Sequence, residues 1–248
     1  MRKLFSIAIV LCMSICVAFG QQPTYVIVHG AWGGAWQFKT TAQALQQAGA
    51  EVYRPTLTGL GERNHMLNDE VNLNTHIKDV VNTILFENLT DVILVGHSYG
   101  GIVVTGVADS IPSRIKKLVY LDAIVPDDGK SAMELLNIKE SSFGRVFKLD
   151  RNTIVPLWVR DTTKTPRDVP HPIHTMTQPI RLKNQKRFIP TTYIFTYENS
   201  KGGKEKDDFY PFYVKAKMNN WKVIELEASH NPQKDKFDDL INILKEEK

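Results

Sequence analysis

The chain has 248 residues, 42% hydrophobic and 23% charged, with 31 Lys and Arg against 27 Asp and Glu. That composition suits one globular domain with a sizeable core, and no period suggests a repeat fold. A net charge of +4 is too balanced to favour nucleic acid or an anionic membrane as a partner.

Arg2 and Lys3 precede an apolar, uncharged run over 4–19, and Ala18 and Gly20 place small residues three and one positions before Gln21. Residues 1–20 are therefore expected to be a secretory signal cut after Gly20, with an uncleaved anchor as the competing reading. Export to a periplasm or out of the cell follows, without stable membrane insertion once the leader is removed. Cys12 and Cys16 are the only cysteines and both lie in that leader. The remaining chain then has no disulfide, no thiolate nucleophile and no Cys-ligated metal.

Residues 25–28 read as a buried strand, followed by a Gly-rich turn over 29–34. A helix is expected over 35–48, stopped by Gly49, then a strand over 51–54 broken by Pro55 and a Gly-containing loop over 57–63. Ile77, Val80, Val81, Ile84 and Leu85 give an amphipathic helix. Strands follow over 92–95 and 118–121, with a helix from 102 to 108 between them. From 126 to 187 the alternation fails, Pro156, Pro166, Pro170, Pro172 and Pro179 punctuate the chain, and no strand run is convincing. This stretch reads as a cap inserted over the active site. Strands over 192–195 and 223–226 and two more helices complete the chain. Strands apolar throughout and alternating with helices predict a mostly parallel, about six-stranded sheet covered on both faces.

The strongest motif is Gly96, His97, Ser98, Tyr99 and Gly100, directly after an apolar strand and before an apolar helix. A G-x-S-x-G turn in that context is a nucleophile elbow, with glycines relieving a crowded turn and Ser98 presented near a helix N-terminus. A serine hydroxyl needs a base to take its proton. His230, in the loop after the last strand, is the best candidate, since the carboxyl ends of strands carry the chemistry. His97 is expected to point away. The oxyanion donors are expected to be the N–H of Tyr99 and one from the first strand–helix loop, Ala31 or Trp32, with Ala31 preferred. Trp32, Phe143 and Trp158 are candidates for the substrate pocket.

Residues 29–36 (HGAWGGAW), 60–63 (LGER) and 95–101 (VGHSYGG) together resemble the small α/β-hydrolases of the EstC-like, plant methylesterase and hydroxynitrile lyase group. Residues 120–126 (YLDAIVP) and 170–175 (PHPIHT) resemble its bacterial esterase branch. The likeness implies a capped α/β-hydrolase fold, a Ser-His-acid triad, no cofactor and small esters as substrates. Hydroxynitrile lyases carry a threonine in place of Gly30 and a lysine in place of Asn231, so these departures favour an esterase. Plant members place the acid at the position of Asn199. The resemblance therefore points to Asp122 as a relocated acid, ahead of Glu198, Asp207 and Asp208.

The expected activity is cleavage of small carboxylic esters through an acyl-enzyme. The alternatives are a lyase on the same fold or a non-catalytic protein that keeps the pocket to bind a small ligand. His171 and His174 make too small a ligand set for a metal site. A monomer and a homodimer both fit the sequence.

Overall fold

The computed structural model describes residues 22–138, 144–184 and 188–248. The expected leader and Phe143 lie outside the described residues. Six strands form one sheet: β1 (Thr24–Val28), β2 (Glu51–Tyr53), β3 (Val92–Ser98), β4 (Ile115–Ala123), β8 (Thr191–Tyr197) and β9 (Lys222–Glu227). Their order is β2-β1-β3-β4-β8-β9 and every pairing is parallel. The order reverses between β1 and β3, so loops leaving their carboxyl ends diverge and open a crevice there.

Alternation along each strand divides the core in two. Val26, Val28, Val92, Leu94, Leu118 and Tyr120 face a cluster that contains Ile77, Val80 and Ile84 of α2 (Leu73–Phe86) and Ile102, Val103 and Val107 of α3 (Gly100–Ser110). Tyr25, Ile27, Ile93, Val95, Val119 and Leu121 face the other side. There they meet Leu45 of α1 (Lys39–Gln47) and Leu240, Ile241 and Leu244 of α8 (Phe237–Glu246). The central strands are thus buried on both faces, which is why they read as unbroken apolar runs. Among the described residues no helix is long and apolar enough to cross a membrane.

Two local expectations are corrected. The first helix starts as a 3-10 turn over Ala35–Phe38 before α1 begins. The segment between β4 and β8 is not free of strands. It holds α4 (Ala132–Leu135), then β5 (Phe147–Asp150), β6 (Thr153–Pro156) and β7 (His171–Pro172) in an antiparallel sheet, then α5 (Ile173–Thr177). Strands of two to four residues are too short to establish a period, and Pro156 and Pro172 sit at strand ends where no ladder N–H is lost.

Candidate active site

β3 runs into the elbow with Ser98 at φ 56°, a left-handed conformation that strains any residue with a Cβ. The glycines around it are sterically required. A Cβ on Gly96 would lie 2.5 Å from Val104 Cγ2, one on Gly100 would lie 2.7 Å from the Val28 carbonyl oxygen, and one on Gly101 would lie 2.3 Å from the Ile124 carbonyl oxygen. Across the crevice, a Cβ on Gly30 would stand 3.0 Å from Ser98 Cβ and 3.4 Å from Ser98 Oγ. The Gly-rich loop after β1 therefore packs directly on the serine.

His230 leaves β9 in the loop before α7 (Pro232–Asp235). Its Nδ1 bonds Asp122 Oδ2 at 2.6 Å, and the other oxygen of Asp122 accepts the Thr196 N–H at 3.1 Å. Asp122 is fully buried near the end of β4 and is itself left-handed, with φ 43°. A buried carboxylate bonded on both oxygens is held in place and compensated. The other carboxylates considered are engaged elsewhere or exposed. Glu198 pairs with Lys201, and Asp208 faces solvent. Asp207 accepts the Phe209 N–H at 2.8 Å. Burial, with the Asp122 charge adding to it, pushes its pKa up to about 6.

The imidazole of His230 is gripped on both faces. Phe209 stacks on one at a centroid distance of 4.6 Å and 19°. On the other lies His97, at 4.8 Å and 34°. Contrary to the expectation that His97 points away, its Nε2 donates to the His230 carbonyl at 2.8 Å. Burial, then the His230 charge, lowers its pKa to about 3, so its ring is neutral. The variable second position of the elbow motif carries no sequence signal for this contact, which joins residues 133 apart.

Ser98, His97 and His230 line one cavity of about 360 Å³ with Gly30, Ala31 and Trp32. Gln37, Trp158, Asp168, Asn231 and Lys234 complete its wall. Trp32 and Trp158 meet edge to face at 5.0 Å, and Trp158 is anchored by its indole N–H to Asp168 Oδ2 at 2.8 Å. Phe147, not singled out from sequence, stacks on Trp32 at 6.0 Å. The Trp32 N–H is taken by His171 Nδ1 at 3.2 Å, whereas the N–H groups of Ala31 and Tyr99 have no acceptor among the described residues. A larger cavity of about 530 Å³ lies beside Tyr120, Trp221 and the carboxyl half of α3, and its lining holds no histidine and no residue of the 96–100 turn. His171 is buried and His174 exposed, and among the described residues no group of three His, Cys, Asp or Glu is placed to hold a metal.

This arrangement places a strained serine, a histidine bonded to a buried carboxylate and unpaired backbone donors around one cavity. Known proteins resemble parts of the chain in sequence and most of it in fold. A carbendazim hydrolyzing esterase of Nocardioides sp. (strain SG-4G) is 57% identical over 112 residues, 45% of this chain and 46% of that protein. An alpha-hydroxynitrile lyase of Arabidopsis thaliana is 36% identical over 105 residues, 43% of this chain and 42% of the relative. The chain thus spans less than half the length of either of these relatives. An extracellular alpha/beta-hydrolase from a Paenibacillus species, described as sharing structural and functional homology with tobacco salicylic acid binding protein 2, is 25% identical. It superposes with a TM-score of 0.68, covering 91% of this chain and 98% of that one. The profile of the alpha/beta hydrolase family matches residues 25–242. The chain belongs to the alpha/beta hydrolase family.

Proposed function

We propose that the protein is a serine esterase that cleaves small carboxylic esters through an acyl-enzyme. One observation carries the reading: Ser98, in its left-handed elbow, shares a cavity with His230, whose Nδ1 is bonded to buried Asp122. A histidine so bonded has its proton on Nδ1 and a free Nε2 to act as base.

His230 takes the Ser98 proton as Oγ attacks the ester carbonyl. The N–H groups of Tyr99 and Ala31 receive the oxyanion, each worth about a hundred- to a thousand-fold in rate. His230, now charged and steadied by Asp122, gives its proton to the departing alcohol. Water enters, loses a proton to His230 and releases the acid, and Ser98 regains its proton. The indoles of Trp32 and Trp158 wall the cavity, and its volume suits a small ester. Carbendazim, which the 57% identical relative is named for hydrolysing, is the first compound to assay. The leader over residues 1–20 supports a place for this activity outside the cytoplasm.

The lyase reading draws on the 36% identical relative, while Gly30 and Asn231 stand where lyases carry threonine and lysine. The test is labelling by a fluorophosphonate together with turnover of short acyl esters and cyanohydrins. Labelling and ester turnover, both lost in Ser98→Ala, are expected. Cyanohydrin cleavage without ester turnover would favour the lyase, and absence of labelling would favour a binding protein.

A further inference from the structure

Trp32 is tied to the cap through every polar group it owns. Its N–H donates to His171 Nδ1 at 3.2 Å, its carbonyl accepts the Val169 N–H at 2.9 Å, and its indole N–H donates to the Ile154 carbonyl at 2.9 Å. Its ring packs on His171 at a centroid distance of 5.8 Å. Trp32 also stands at φ 62°. A left-handed residue with a large side chain persists only where its surroundings over-determine it. Here the surroundings are the cap.

The direction of each bond is fixed. A backbone N–H only donates, so His171 Nδ1 is unprotonated and the ring proton sits on Nε2. Nε2 meets Thr175 Oγ1 at 2.6 Å and donates to it, and the Thr175 hydroxyl donates to the Pro172 carbonyl at 2.8 Å. The chain of bonds runs one way, from Trp32 through His171 and Thr175 to Pro172. His171 is fully buried, and that burial keeps its ring neutral. Protonation would leave Trp32 with no acceptor.

We propose that His171 is a positioning residue through which the cap assembles the oxyanion hole. By taking the Trp32 N–H, it turns that amide away from the cavity, leaves the Ala31 N–H as the loop's free donor, and fixes the Ala31–Trp32 peptide that follows that donor beside Ser98. The catalytic half of this proposal rests on the esterase reading of Ser98; the structural half does not. The cap on this view is part of the chemistry as well as a cover over it.

The test uses the full chain with His171→Leu, which removes the acceptor, and His171→Asn, whose Oδ1 stands near the place of Nδ1. Amide exchange of Trp32 is followed by NMR. Protection is expected in the wild type, a loss of at least about a hundred-fold in His171→Leu, and most of it retained in His171→Asn. The oxyanion hole is read from the carbonyl stretch of the acyl-enzyme. His171→Leu is expected to raise its frequency and lower kcat about ten- to a hundred-fold, with KM changed less than about three-fold. Should the leucine variant fail to fold, Thr175→Val, which removes the Nε2–H acceptor at constant volume, is read the same way. Fast Trp32 exchange in the wild type would overturn the proposal. So would a folded leucine variant with wild-type kcat and an unshifted carbonyl, or an asparagine variant no better than leucine. A wild-type chain that is protected at Trp32 yet neither labels nor turns over esters overturns the esterase reading and, with it, the catalytic half alone.

Discussion

The His97 ring lies 4.8 Å beneath the His230 ring and donates from Nε2 to the carbonyl oxygen of that same residue at 2.8 Å. One side chain thus supports both the imidazole and the backbone of His230, the proposed base, while Phe209 closes the opposite face. A base gripped this way loses little alignment during turnover. His97→Leu is expected to lower kcat about ten-fold with KM nearly unchanged, and His97→Gln, which keeps an N–H donor, to recover much of it. Steady-state kinetics beside melting temperatures decide the point; equal losses in both variants would count against the alignment role.

Asp122 should matter most among the carboxylates. Asp122→Asn keeps the volume but lets His230 take the wrong tautomer, and kcat should fall about a thousand- to ten-thousand-fold, as in the serine protease case. Glu198→Gln and Asp208→Asn should stay within about three-fold of wild type, since neither touches His230 as Asp122 does. Parallel kcat measurements on the three variants test the assignment.

Acid should unfold the protein steeply. Burial lowers His29 and His76 to about 4 and His97 to about 3, and holds His171 well below its usual value. A depressed histidine contributes stability that is present above the unfolded value near 6.5 and lost as pH falls towards the folded one. Asp207 acts in the opposite sense. At pH 5 unfolding takes up about three protons at His29, His76 and His97 and releases one from Asp207, a net uptake of about two to which His171 adds in the same sense, so stability should fall by about 3 kcal/mol per pH unit or more. Denaturant titrations between pH 6.5 and 4.5 give the slope directly; a slope of less than one proton would refute the neutral histidines.

Asp207 can be isolated by substitution. Its folded pKa of about 6 lies above the unfolded value, so its contribution is fully present below about pH 4 and is lost as pH rises through 6. Asp207→Asn keeps an acceptor for the Phe209 N–H and removes the titration. The variant should be more stable than wild type at pH 7, and the gap should close as pH falls to 4. Melting curves across that range check the sign.

The elbow leaves no room at Gly101. An alanine Cβ there would meet the Ile124 carbonyl oxygen at 2.3 Å and Ala123 Cβ at 2.9 Å, both on the adjoining β4 connection. Backbone on one side and core on the other cannot yield cheaply, so Gly101→Ala should lose about 3 kcal/mol or more. Denaturant unfolding at pH 7 measures this, and a loss below 1 kcal/mol would mean that the elbow relaxes.

What the sequence made legible follows from physics. Residues 92–95 and 118–121 are buried on both faces, so their apolar runs announce strands, and the elbow between strand and helix marks Ser98. The pairing of His230 with Asp122 was reachable only through chain order and family resemblance, because nothing local shows that Thr196 presents an N–H to the second carboxylate oxygen. The cap strands were hidden. In β5 only Phe147 is buried, and one residue sets no period. The supporting roles of His97, Phe209 and His171 are not legible locally, since each acts through a partner on another element, 133 residues away for His97 and 139 for His171. Trp32 is a sequence candidate both for the pocket and as an oxyanion donor, and its N–H proves to be taken by His171.

Eight non-glycine residues among those described adopt left-handed backbone conformations, and three of them, Trp32, Ser98 and Asp122, lie at this site. Glycine would occupy each position more comfortably. A directed-evolution screen that rewards heat tolerance alone should therefore drift towards Ser98→Gly, enriching sturdier proteins that no longer react. On the esterase reading, any thermostabilisation of this chain has to select for turnover in the same round.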